Sequence, residues 1–130
     1  MYNMTLRWYS EDDPVTLDKI RQHPVVKGIV GSLFEIPPGE VWPYEKIMEL
    51  KNKIEKQELK LSAIESIPIH EDIKLGLDTR DKYIENFLES LKNVGKAGVN
   101  VVCYNFMPVF DWTRSELNYK NPDGSRSLVY

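Results

Sequence analysis

The chain has a single cysteine, Cys103, so no intrachain disulfide can form, and a lone thiol fits a reducing compartment better than a secreted one. Glycine-rich phosphate loops are missing: Gly28, Gly31 and Gly39 have the wrong spacing for the Walker and dinucleotide patterns, so no nucleotide cofactor is expected. There is no excess of positive charge either. Lys and Arg number 17 against 20 Asp and Glu, the net charge is -3, and no basic patch offers a footprint for nucleic acid. No stretch approaches the roughly 20 apolar residues of a membrane span, and residues 1–7 lack the basic-then-apolar pattern of a signal peptide. The expectation is a cytoplasmic protein with neither membrane nor nucleic acid as partner. HExxH, EF-hand and Cys/His ligand patterns are also missing, so the sequence offers no metal site of its own.

What is present is ordinary globular material. With 130 residues, 42% apolar and 28% charged, the chain is large enough for one domain with a real core and too small for two.

Taken in order, residues 4–9 predict a short strand, followed by an acidic turn. Thr16 can cap a helix carrying Leu17 and Ile20, which must stop near His23 because Pro24 disfavours helical geometry in the residue before it. The glycine-bounded run 25–31 predicts a second strand. Pro43 then sits where a first helical turn tolerates proline, ahead of Tyr44, Ile47, Met48 and Ile54 at helical spacing. Residues 59–64 predict a third strand. After a turn at Gly76, Asp78 or Thr79 can cap a helix whose apolar stripe is Ile84, Phe87, Leu88, Leu91 and Val94, with Gly95 and Gly98 as its stop. Residues 100–104 predict a fourth strand, buried and opening onto a site. After Trp112 the alternation ends, and residues 113–130 predict an irregular or hairpin insertion with a turn at Asn121-Pro122-Asp123-Gly124.

Strands alternating with amphipathic helices imply βαβ crossovers and a parallel sheet. Four strands would leave open edges, and four further βα units would close them. The fold class expected is therefore α/β, a parallel (β/α) barrel of TIM type, with residues 1–130 forming the N-terminal half of a single (β/α)8 domain.

In such a fold ligands lie at the carboxyl ends of the strands. Three clusters meet that condition: Arg7, Trp8 and Tyr9; residues 65–70; and Cys103 to Asn105. His70 is the histidine at that face, open to a substrate or acid/base role or to that of a hydrogen-bonded loop residue. His23, before Pro24, is explained by a helix end. Asn105 can donate and accept, which suits a polyhydroxylated ligand, although it could instead tie down its own loop. Trp8 and Trp112 could wall a sugar face or pack in the core. Glu65, Glu71, Asp72 and Asp111 are expected as solvated or helix-capping carboxylates. Cys103 is expected as a small core residue and not a nucleophile, since nothing near it in sequence would lower its pKa.

Several strings together are specific: Arg7-Trp8-Tyr9, Gly28-Ile29-Val30-Gly31, Pro38-Gly39-Glu40-Val41-Trp42-Pro43, Glu65-Ser66, His70-Glu71-Asp72-Ile73-Lys74-Leu75-Gly76, and the run from Val102 to Arg114. They resemble the N-terminal part of the D-mannonate dehydratase family, nearly from end to end of this chain. The resemblance implies a xylose-isomerase-like barrel and a lyase of hexuronate breakdown that converts D-mannonate to 2-dehydro-3-deoxy-D-gluconate and water. It also implies a divalent metal, Mn²⁺ or Fe²⁺, whose ligands come from strands beyond residue 130, so that this chain holds none of them and is inactive alone. It supports Trp8, His70 and Asn105 as substrate-side residues and implies a homo-oligomeric whole protein. Two other readings stand beside it: a non-catalytic assembly module pairing through open sheet edges, and a metal-dependent sugar isomerase of the same superfamily.

Overall fold

The β-branched runs become strands and the 3.6-residue stripes become helices in the computed structural model, which describes residues 3–110 and 113–129. The elements are β1 (Met4–Arg7), α1 (Leu17–Arg21), β2 (Val26–Gly31), α2 (Tyr44–Glu55), β3 (Lys60–Glu65), α3 (Glu71–Leu75), α4 (Arg80–Lys96), β4 (Val102–Cys103), β5 (Glu116–Lys120) and β6 (Arg126–Val129). The first four strands are parallel in the order β1-β2-β3-β4, and β5 and β6 form a separate antiparallel pair.

That sequential order matters for the site. A doubly wound sheet reverses its strand order and puts helices on both faces. Here each strand adds to the same side, and Leu6, Ile29, Leu61 and Ile64 pack in one cluster with Ile20, Ile47, Ile54 and Val94 of the helices. Strand alternation turns Thr5, Arg7, Gly28 and Ser62 to the other face, and the register shift in β3 between Leu61 and Ala63 brings Glu65 to it as well. That face is tight within itself: a Cβ at Gly28 would lie 2.2 Å from Ser62 Oγ and 2.8 Å from Thr5 Cγ2. Parallel sheets are normally covered on both faces; among the described residues only the helix side is covered. The structure thus shows a four-stranded parallel α/β unit and no closed barrel.

Local chemistry sets the helix ends. The Thr16 hydroxyl accepts from the Lys19 amide at 3.3 Å and α1 stops at Arg21, as Pro24 requires. Pro43 is the N-cap of α2, Thr79 the N-cap of α4, and Gly98 (φ +80°) turns the chain after α4.

Four expectations are corrected. β1 ends at Arg7, two residues early, because the chain turns away into the loop that the Asp13 carboxylate holds through the amides of Tyr9 and Val15. β4 has two residues, and Cys103 is exposed instead of buried, since β4 is a sheet edge with nothing beyond it among the described residues. The five-residue helix α3 was not foreseen; its left-handed stop, Gly76, is the feature that sequence reading takes for a plain turn. In α4, Ile84 and Leu88 are exposed. The buried seam is rotated toward Asn86, Ser90 and Asn93, because these side chains satisfy the backbone of the β2–α2 loop. Ser90, fully buried, accepts from the Trp42 amide and donates to the Asn86 carbonyl, each at 2.9 Å. Asn93 donates to the Trp42 carbonyl at 2.9 Å and Asn86 to the Gly39 carbonyl at 2.8 Å. Backbone groups buried with Trp42 need such partners, and a helix face tuned to supply them gives up part of its apolar stripe.

Candidate functional site

All four parallel strands release their chains at one end of the sheet, and the segments that follow them enclose a cavity of about 770 Å³. Its wall takes Arg7 and Tyr9 from the end of β1, Pro38 from the loop after β2, Glu65, Ser66, His70 and Lys74 from the end of β3 and α3, and Asn105 from the segment after β4. The volume lies in the range of small-molecule sites, roughly 300–1,000 Å³.

Charge inside the cavity is arranged in pairs. The Arg7 guanidinium meets the Glu65 carboxylate at 3.2 Å and lies over the Tyr9 and Phe34 rings at 5.0 and 5.9 Å from their centroids. Its Nε is buried without a protein partner. Lys74, with a side chain only 6% exposed, meets Glu71 at 2.6 Å. Two cations held by two carboxylates leave the cavity close to neutral, and each guanidinium or ammonium keeps donors beyond those its carboxylate takes.

His70 sits at the N-cap of α3, where Nδ1 accepts from the Asp72 amide at 3.1 Å. The acceptor nitrogen is thereby occupied and Nε2 carries the proton of the neutral ring. The Asp72 carboxylate, 3.5 Å from the same Nδ1, is a neighbour of the neutral ring and not its hydrogen-bond partner; it accepts instead from the Thr79 hydroxyl. The imidazole is stacked on Tyr83, with centroids 3.6 Å apart and planes 15° apart.

Glu71 has a second task. Its Oε2 accepts from the Val109 amide at 3.1 Å, tying the segment after β4 to α3. Lys74 first, and the Val109 amide second, hold the Glu71 carboxyl below its ordinary value. A carboxylate with a lowered folded-state pKa adds stability above its unfolded value and loses it as pH falls through the folded one. The tether is therefore expected to hold through the ordinary glutamate range, about pH 4.3, and to release only in stronger acid. Hydrogen exchange of a peptide spanning residues 104–110, corrected for intrinsic rates, checks this. Protection should fall below that range in the native protein and be lower and pH-independent in Glu71→Gln.

The structure brings His70 and Asn105 to this cavity and does not bring Trp8 there. Trp8 is 3% exposed, packs in the core and lines a separate cavity with Thr16, Leu17 and Lys53. The physical reason is the pleat: Leu6 and Trp8 share the helix-facing side of the strand end, while Arg7 and Tyr9 share the other. Alternation of apolar with polar residues was the signal for choosing Arg7 and Tyr9 from that cluster. Lys74 had no signal, because α3 itself was not foreseen. Trp112 and Asp111 lie outside the described residues. No three His, Cys, Asp or Glu side chains among the described residues gather closely enough to hold a metal ion, so these residues do not fit a metal centre. No described helix is long and apolar enough to cross a membrane.

Residues 2–130 match the family described as D-mannonate dehydratase (UxuA). The chain is 56% identical over 127 residues to a mannonate dehydratase of Streptococcus uberis and 61% identical over 128 residues to one of Thermotoga maritima, in each case over 98% of this chain and 36% of the relative. The crystal structure of mannonate dehydratase from Streptococcus suis serotype 2 superposes with a TM-score of 0.94 at 54% identity, covering 98% of this chain and 37% of that one. The chain thus spans little more than a third of the length of the proteins it matches, and it belongs to the D-mannonate dehydratase family.

Proposed function

We propose that this chain supplies the first four βα units of an eight-stranded (β/α) barrel that dehydrates D-mannonate to 2-dehydro-3-deoxy-D-gluconate in hexuronate breakdown, with the cavity at the strand ends as part of the substrate site. The observation that carries the proposal is the convergence of segments from all four strands on that one cavity. Family membership supports the reaction.

A sugar acid is a carboxylate on a polyol. Arg7 and Lys74 offer cationic donors beyond those their carboxylates take, Asn105 offers a donor and an acceptor for hydroxyls, and His70 offers Nε2. Removing the C2 proton and helping the C3 hydroxyl leave as water requires groups that move protons near neutral pH, and an imidazole with one nitrogen fixed by the backbone can do either. In this reading His70 and Asn105 are substrate-side residues, and Trp8 anchors the strand end that presents Arg7 and Tyr9. The divalent metal, Mn²⁺ or Fe²⁺, belongs to residues outside this chain. The whole protein works in the cytoplasm as a homo-oligomer; exposed Leu75, Leu77, Ile84 and Leu88 leave apolar surface for such a contact.

The test is an assay for the 2-keto-3-deoxy acid formed from D-mannonate with Mn²⁺ present. The full-length protein should turn over and residues 1–130 alone should not. Comparable turnover by residues 1–130 would refute the partition of the site, and a full-length protein that isomerises a sugar and leaves D-mannonate untouched would refute the reaction.

A further inference from the structure

We propose that Tyr83, on α4 and outside the cavity wall, is the positioning residue that fixes the His70 imidazole. The inference rests on the reading of His70 as a substrate-side residue and adds what sets its ring. Four observations meet at this point. The Tyr83 and His70 rings are stacked at 3.6 Å. Gly39, at φ +87°, presses on the edges of both: a Cβ there would lie 2.6 Å from Tyr83 Cδ1 and 2.8 Å from His70 Cδ2. The Gly39 carbonyl is held by Asn86, three residues along α4 from Tyr83. The remaining degree of freedom, which ring nitrogen faces inward, is set by the Asp72 amide on Nδ1.

Each contact does a different job. The cap selects the tautomer only while the ring stays in its plane, because rotation about the Cβ–Cγ bond carries Nδ1 away from the amide. Stacking blocks that rotation on one face, and the Gly39 backbone blocks the edge. A benzene ring stacks as a phenol does, and no hydrogen bond of the Tyr83 hydroxyl enters the argument, so phenylalanine should replace tyrosine here and an aliphatic residue should not. Through the Gly39 carbonyl, the Asn86-Ser90-Asn93 row that pins the β2–α2 loop becomes part of the device that orients His70.

The experiment uses the substrate-free full-length protein with ¹⁵N-labelled histidine, the His70 resonance being the one lost in His70→Asn. The native protein and Tyr83→Phe should show one tautomer, Nε2–H. Tyr83→Leu should show a mixture of both, with kcat/KM for D-mannonate about tenfold lower, since small misplacements of a reacting group are costly. Combined with His70→Asn, Tyr83→Leu should cause no further loss, because two residues acting through one ring are not additive. Should Tyr83→Leu not fold, Tyr83→Met, which keeps more of the side-chain volume and still lacks a ring face, gives the same reading. An unchanged His70 signal in either variant, or a Tyr83→Phe enzyme as impaired as Tyr83→Leu, overturns the positioning role. A signal that mixes while His70→Asn keeps full turnover supports the positioning role and overturns the substrate role of His70.

Discussion

His70→Asn in the full-length enzyme is expected to lower kcat/KM for D-mannonate by about 10²-fold or more, the range in which a positioned proton-transfer group contributes. Asparagine is the informative replacement. His70 caps α3 through Nδ1, so alanine would remove the cap as well as the imidazole, at a cost of about 0.5–2 kcal/mol of local stability. Asparagine is a good N-cap and restores the acceptor for the Asp72 amide while lacking an imidazole to carry a proton. Steady-state kinetics beside a melting curve separates the two effects. Loss of activity with an unchanged midpoint is the expected result, and a stable variant within about threefold of the native rate would place His70 outside the chemistry.

Trp42→Ala is expected to be the most destabilising change in the chain, by about 3–5 kcal/mol, the usual cost of truncating a buried aromatic side chain. Trp42 is 1% exposed and is the largest fully buried side chain among the described residues. The void would be hard to close, because both backbone groups of Trp42 are pinned to α4, the amide by Ser90 and the carbonyl by Asn93. A residue pinned through both its amide and its carbonyl cannot move inward to fill the void. Urea unfolding of the full-length protein checks this, with Trp42→Phe costing much less because it keeps most of the apolar volume. A loss below about 1 kcal/mol for the alanine variant would mean that the loop is not held as described.

The two predictions meet in the β2–α2 loop. It carries Trp42 into the core, Gly39 against the His70 and Tyr83 rings, and Pro38 into the cavity wall. The glycine cannot be exchanged cheaply, since its φ of +87° disfavours any side chain and the space is already filled by two rings.

How far residues alone could lead is clearest element by element. The four parallel strands and the helices at residues 17–21, 44–55 and 80–96 follow from periodicity and from Thr16, Pro43 and Pro24, which act over one turn of chain and leave their mark in sequence. The strand-end clusters that form the cavity were legible for the same reason. What could not be read was set across the fold. Whether β4 is buried depends on what lies beyond its edge. Which face of α4 is buried depends on loop backbone groups about fifty positions away: the Trp42 amide met by Ser90, and the Gly39 and Trp42 carbonyls met by Asn86 and Asn93. Trp8 is a different matter: the family resemblance supports it as a substrate-side residue, whereas the pleat of β1, a local feature, points Arg7 and Tyr9 to the cavity and the indole to the core.

One measurement bears most directly on the account, a crystal structure of the full-length protein with D-mannonate bound. The sugar acid is expected at the carboxyl ends of β1 to β4, within hydrogen-bonding distance of His70 Nε2 and the Asn105 amide, with Trp8 buried behind the strand end. A sugar acid seated elsewhere, with His70 and Asn105 both out of reach, would contradict it.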